Sequence, residues 1–431
     1  MKIKNFLIYL YVYMILISTF ICLLILSAAL PHTRKFDSLM RRSARILAKG
    51  GDYPETSGVT LDNCSDSLIL NIAYSFDSKQ PIRSAIEAVF YAEKGKEFTH
   101  TLNNMVNSKR NSLVKGSYAR YWFGHSAVIK ILHYVWHLDK IYVLYGSLIL
   151  FLLFISVVHA YKTAGFPGLF ALYIVLSLCN FQVFFMSLQF TPVIFIGLGG
   201  LIWVCRQRDI SRRNVTFYIL GMLTAFLDLL TAPILAFGIP ALFICGKDFL
   251  QAESANGRNW KNWFRIWFGY PAAWLAGYVM SWGTKILLGI CLSGNVQQVF
   301  HQIFLRISTS GKSIEFTRWQ SIVKNFQFLY DNSQLILLLT GIIIVPFLMV
   351  KIYQWKKHKL VFNSRLFLGY LMLAAMPIAV IFLMANHTYI HDWMTYRGLA
   401  LTCAALFMSL TAFQPEKRWI HEENRCSAAM L

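Results

Sequence analysis

Residues 138–161 read LDKIYVLYGSLILFLLFISVVHAY, and this stretch decides the fold class. Between Lys140 and Lys162 there is no Asp, Glu, Lys or Arg. About 20 such residues, rising about 1.5 Å each, cross a hydrocarbon core of about 30 Å as a helix. Moving outward, similar apolar runs occupy residues 6–30, 167–186, 189–205, 215–230, 233–245, 266–288, 335–350, 366–384 and 398–413. The spacing predicts an all-α, polytopic transmembrane helix bundle of about ten spans.

Composition agrees. The chain is 56% hydrophobic and 16% aromatic, with only 14% charged residues, where a soluble domain has roughly a quarter. The net charge of +21 invites a nucleic-acid reading, but its distribution argues against one. The basic residues cluster in short loops, Arg206, Arg208, Arg212 and Arg213 in one and Lys351, Lys356, Lys357, Lys359 and Arg365 in another. The positive-inside rule places such loops in the cytoplasm, so the excess is a topology signal, with some attraction to anionic lipid headgroups. The eight cysteines are scattered singly, with no CxxC or Cys/His pairing. They imply neither a disulfide framework nor a zinc site.

With Lys2 and Lys4 ahead of it, the first run reads as a retained helix leaving a cytoplasmic N-terminus. The expected organisation is one integral membrane domain, residues 1–431. Residues 31–137 form a first extracytoplasmic loop, 293–332 a second, and 414–431 a cytoplasmic tail. Within the first loop, residues 36–47, 67–76 and 82–91 carry helical periodicity too short to span, and are expected as amphipathic helices on the outer leaflet. No internal repeat of the kind found in many transporters is visible. An integral multi-pass protein of a bacterial inner or plasma membrane is the expected setting.

Threaded this way, most of the unusual polar residues fall at one face. Asp62 and Asp66, in LDNCSDS, lie four residues apart and share a face if helical. A partly desolvated carboxylate there is a candidate general base; the competing reading makes Asp62 a helix cap and Asp66 a solvated residue. Asp77 reads as a turn residue. In YARYWFGH, residues 118–125, Tyr118 and Trp122 read as interfacial belt residues. Arg120 is a candidate phosphate ligand or a headgroup contact, and Tyr121 and His125 are further candidates. Asp228, inside an apolar run, is costly there unless functional or paired; an Asp228–Lys285 ion pair is the alternative. His387, His391 and Arg397 gather in NHTYIHDWMTYR, residues 386–397. The two histidines could hold a divalent metal, but no third ligand is evident, and an anionic headgroup bound with Arg397 is the preferred reading.

The order of these features resembles the GT-C superfamily of membrane glycosyltransferases, over residues 6–410. The resemblance rests on LDNCSDSLILNIAY after helix 1, on YARYWFGHSAVIKILHYVWHLDKIYVLYGSLILF at the entry to helix 2, on FFMSLQFTPVIFIGL, on GMLTAFLDLLTAPILAFGIPALF, and on HTYIHDWMTYRGLAL late in the chain. Two departures stand out: the acidic motif lies far beyond helix 1, and it has no Asp-Glu or Asp-x-Asp pair. The resemblance implies transfer of a sugar from a polyprenyl-phosphate donor to a glycan or lipid acceptor at the outer face, with inversion. Asp66, or failing it Asp62, would be the base. Arg120, Lys285, Arg397, His387 and His391 would hold the donor phosphate, and a divalent cation, Mg2+ or Mn2+, is compatible. A transporter or flippase of a lipid-linked saccharide, or a polysaccharide polymerase or ligase, is the alternative. Transport predicts a polar path across the membrane, whereas the inner ends read as bland.

Overall fold

The computed structural model describes residues 3–56, 59–107, 113–256, 259–293, 296–309, 315–357 and 360–415. The expected tail at 414–431 therefore lies almost wholly outside the described residues. Helix α1 (Ile3–Ala29) is followed by α2 (Arg34–Gly50), a two-stranded ribbon of β1 (Glu55–Thr56) and β2 (Val59–Thr60), α3 (Asn63–Ser75) and α4 (Pro81–Glu87). Strand β3 (Val89–Glu93), α5 (Phe98–Val106), β4 (Leu113–Ser117) and α6 (Gly124–Leu132) complete the first loop region. Next come α7 (Leu138–Leu178), α8 (Thr191–Arg206), α9 (Ile210–Leu227), α10 (Pro233–Asn256), α11 (Trp260–Trp267), α12 (Gly269–Ser293) and α13 (Val296–Ile307). The remainder is α14 (Arg318–Lys356), β5 (Leu360–Phe362), α15 (Ser364–Leu383), α16 (Ala385–Ile390), α17 (Asp392–Thr395), α18 (Leu399–Ser409) and β6 (Phe413–Pro415). The fold is an all-α bundle, with three small antiparallel ribbons among the described residues, β1–β2, β3–β4 and β5–β6.

Each apolar run read from the sequence is mostly helical, although residues 179–186 and 228–230 fall outside the long helices. Among the described residues six stretches, α1, α7, α10, α14, α15 and the pair α11–α12 taken as one, are long and apolar enough to cross a membrane. α8 is a shorter apolar helix. The runs 138–161 and 167–178, expected in separate helices, follow one another in α7 as two helical segments joined across a kink at Gly165 (φ 62°, ψ −148°). Glycine alone adopts that backbone cheaply, and Pro167 follows at once. α14 is broken similarly at Ser333 (φ −136°, ψ 18°).

Contacts define two ends. At one, Tyr142 near the start of α7 meets Asp66, and Lys285 in α12 reaches Ile86 and Ala119. At the other, Arg213 in α9 pairs with Asp248 in α10, and Tyr270 in α12 donates to the same carboxylate. Between them α9 and α12 pack with their backbones close. A Cβ on Gly221 would lie 2.0 Å from Trp274 O, and one on Gly277 would lie 2.0 Å from Tyr218 O.

The first loop region departs from expectation. α2 is amphipathic as read, burying Phe36, Met40, Ala44 and Leu47. α3 is instead buried on nearly every side from Asp66 to Tyr74, because α2, α5 and α6 pack around it. LILNIAY has almost no polar face, so it forms a small core rather than lying on a surface. The expected helix at 82–91 ends at Glu87: Ala88 turns left-handed (φ 44°), and Val89–Glu93 pairs with Leu113–Ser117.

Candidate functional site

The first turn of α3 carries both acids of the LDNCSDS motif, and the fold treats them differently. Asp62 caps the helix, its Oδ1 accepting from Ser65 N at 2.8 Å, a contact that satisfies one open helix donor. The β1–β2 ribbon is folded back against this turn: Leu61 N donates to Pro54 O (2.9 Å) and Cys64 N to Asp52 O (3.0 Å). Asp62 is 2% exposed, and its Oδ2 is buried with no hydrogen-bond partner. Burial raises its pKa to about 6, against the cap bonds and the nearby Arg397 charge.

Asp66, one turn on, has no free oxygen. It accepts from Tyr142 Oη (2.6 Å), Ser187 Oγ (3.3 Å), Leu188 N (2.9 Å) and Gln189 N (3.0 Å). Burial raises it to about 7, opposed first by the Tyr142 bond. Asp66 thus ties α3 to α7 and to the loop entering α8. His125 joins this cluster through Tyr145 Oη (2.9 Å). Its Nδ1 is buried without a partner, and burial lowers its pKa to about 4, so the ring is neutral.

Arg397 sits 1% exposed, donating through Nε to Cys179 O (3.1 Å) and through Nη1 to Trp393 O (2.9 Å). Its guanidinium lies 4.4 Å over the Phe190 ring and 5.0 Å from the Tyr396 ring, a favourable cation–π setting. Trp393 packs edge-on against Tyr53 (5.4 Å) and Phe190 (6.2 Å). Gln189 Oε1 is also buried without a partner. An unpaired carboxylate oxygen, a buried guanidinium, an amide oxygen and an aromatic wall thus belong to one neighbourhood.

The other expected residues are placed elsewhere. Lys285 is wholly buried, and its Nζ donates to Ala119 O (2.8 Å) and Ile86 O. Asp228 does not pair with it. That carboxylate closes its own turn, accepting from Leu230 N (2.9 Å), Thr231 N (3.3 Å) and Thr231 Oγ1, with Leu230 left-handed at φ 67°. The expected ion pair is therefore corrected: each partner finds closer groups. Arg120 stacks on Tyr118 (4.4 Å) and Tyr121 (5.2 Å), and its Nε is buried without a partner. Trp122, expected in an interfacial belt, is core, donating to Ser281 O at 3.0 Å.

His387 and His391 lie with ring centroids 5.0 Å apart. His387 Nε2 faces Leu230 O (2.7 Å) and Nδ1 faces Arg306 Nη1 (3.2 Å). Burial first, then His391 and the Arg306 charge, lowers His387 to about 3; burial first, then Arg306 and Lys324, lowers His391 to about 4. Both His387 nitrogens are engaged, and among the described residues no three His, Cys, Asp or Glu side chains converge to hold a metal ion. The described side chains at this tip offer no full ligand set for a protein-held divalent cation. Arg306 and Lys324, the latter 3.4 Å from Asp392, make this tip strongly basic.

Sequence reasoning missed Tyr142, Tyr145, Gln189 and Trp393. The tyrosines sit in an apolar span with nothing to distinguish them, and Gln189 is identified only by what Asp66 holds in place. Trp393 lies in the same tip as His387, His391 and Arg397, and that nearness was the signal that could have found it. Comparison with protein-family models, curated proteins and solved structures finds no match to this chain.

Proposed function

We propose that this chain is a multi-pass membrane glycosyltransferase that moves a sugar from a polyprenyl-phosphate donor to a glycan or lipid acceptor. The observation that carries the reading is Asp62 Oδ2, a buried carboxylate oxygen without a donor, in the electrostatic range of Arg397. Asp62 replaces Asp66 as the preferred base, because Asp66 has both oxygens engaged.

The step balances simply. The acceptor hydroxyl attacks the anomeric carbon while its proton passes to Asp62 Oδ2. The bond from that carbon to the phosphate oxygen breaks, and its electron pair leaves with the polyprenyl phosphate. Arg397 Nη2 has no acceptor among the described residues, and a guanidinium so placed stabilises the developing phosphate charge. Direct displacement inverts the anomeric centre. The Tyr53, Phe190 and Trp393 rings offer apolar faces to the sugar, and Arg306 and Lys324 add positive charge nearby. Asp66 acts as a positioning residue for the loop that presents Gln189 and Phe190.

In this reading all ten apolar runs span, the Asp62 end is extracytoplasmic, and both termini are cytoplasmic. The membrane is a bacterial inner or plasma membrane, whose lipids surround the bundle. The basic loops at the Arg213 end support that orientation. One observation favours the transport alternative: the opposite end is not bland, since Arg213, Asp248 and Tyr270 form a buried polar network.

The test uses sealed, oriented membrane vesicles from expressing cells, with radiolabelled polyprenyl-phosphate sugars and a cell-envelope acceptor fraction outside. Label transferred to the acceptor supports the reading. Donor that crosses the membrane without transfer contradicts it and favours transport.

A further inference from the structure

An open cleft of about 870 Å³ lies at the Arg213 end, between α1, the C-terminus of α8, the first turns of α9, and α11. It lies at the opposite end of α9 from Asp228: α9 begins beside it and runs 18 residues to Leu227, about 27 Å away. Two cations line it, Arg212 and Arg265, and neither has a carboxylate within salt-bridge distance among the described residues.

Two acceptors complement them. Gln207 uses its amide N to donate to Thr216 Oγ1 (2.7 Å), which leaves Oε1 buried without a partner. Asn214 Oδ1 is likewise buried and unpartnered. A ligand that brings hydrogen-bond donors as well as an anion would satisfy both of these lining residues' open oxygens. Asp209, which caps α9 by accepting from Ser211 N (2.9 Å), also lines the cleft and suits a cationic headgroup.

The flanks are apolar. Ile8 and Trp203, both on the lining, are 42% and 41% exposed. α11 turns Trp260 and Phe264 outward while burying Trp263, Ile266 and Trp267, the pattern of a short helix lying in an interface.

We infer that this cleft binds a phospholipid whose headgroup donates hydrogen bonds, an ethanolamine lipid being the simplest. Its phosphodiester lies on Arg212 and Arg265, its ammonium faces Gln207 Oε1, Asn214 Oδ1 and Asp209, and its chains follow Ile8 and Trp203. Basic clefts between membrane helices commonly take lipid headgroups. Here the orphaned carbonyl oxygens add a selectivity that charge alone does not give. The inference does not depend on the sugar-transfer reading.

Detergent-purified full-length protein is titrated with phosphatidylethanolamine, phosphatidylcholine, glycerophosphoethanolamine and inorganic phosphate, with retention read by native mass spectrometry. The expected result is about tenfold tighter retention of the ethanolamine lipid than of the choline lipid, the worth of one charge-assisted bond, and no retention of the tail-less probes. Arg212→Gln with Arg265→Gln abolishes retention, whereas Arg206→Gln, outside the cleft, preserves it. Asn214→Leu removes the preference for ethanolamine but keeps phospholipid binding, which decides the matter should the double variant fail to fold. Equal retention of both lipids, binding of phosphate as tight as the lipid, or a folded double variant that still retains ethanolamine lipid overturns the inference.

Discussion

Asp62 and Asp66 are one helical turn apart in one motif, yet they differ in what they can do. A carboxylate with four donors is held in place; one with an unpaired oxygen can take a proton. With Asp62 raised to about 6, transfer should rise with pH through about 6 and level off above it, because the base must be ionised. A rate flat across pH 5–8 with chemistry limiting would contradict this. Asp66→Ala strands the Tyr142, Leu188 and Gln189 donors, and at about 1–3 kcal/mol for each buried unsatisfied group should cost at least about 3 kcal/mol of stability. Linkage gives a second signature. Asp66 holds its proton more tightly folded than unfolded, so its contribution is full below the unfolded carboxyl range and is lost as pH rises through about 7. The melting temperature of wild type relative to Asp66→Asn should therefore fall between pH 5 and 8. The motif was legible from its spacing; the division of roles was not, because the donors to Asp66 lie more than 70 residues away.

At the element scale the most demanding contact is α9 against α12. Gly221 and Gly277 let the two backbones approach closely, the device membrane helices use where apolar burial gives no drive to associate. Gly221→Leu forces them apart and should cost about 1–3 kcal/mol or more, read as a lower melting temperature or loss of folded protein, while Gly199→Ala, inside α8 where an added Cβ meets nothing, should be tolerated or slightly stabilising. The helical runs themselves were legible, since length and apolar character fix them. The ribbons were not: β3 depends on a partner strand that begins at Leu113, 20 residues beyond Glu93, and its helix-like periodicity is overridden at Ala88. α3 was misjudged as a surface helix because periodicity does not reveal how many neighbours will cover it.

The whole molecule carries buried polar contacts at both ends. Arg213, buried among Val204 O, Gln207 O and Asp248, was read as a loop cation marking topology, and sequence alone offered no sign of its partner 35 residues on. Removing one member of a buried pair leaves the other uncompensated, so Arg213→Ala should destabilise by about 3–5 kcal/mol, detectable as a loss of detergent-resistant folded protein. The alternation of helices between the two ends follows from the sequence pattern, and the pairing of distant residues at each end follows from packing that no local pattern encodes. The measurement that bears most directly on Asp62 compares sugar transfer, per folded protein, in wild type, Asp62→Asn and Asp66→Asn. Asp62 as base requires that Asp62→Asn lose at least about a hundredfold in rate at unchanged folding, and that Asp66→Asn lose mainly stability. Full activity in Asp62→Asn, with activity lost only in a well-folded Asp66→Asn, would contradict it.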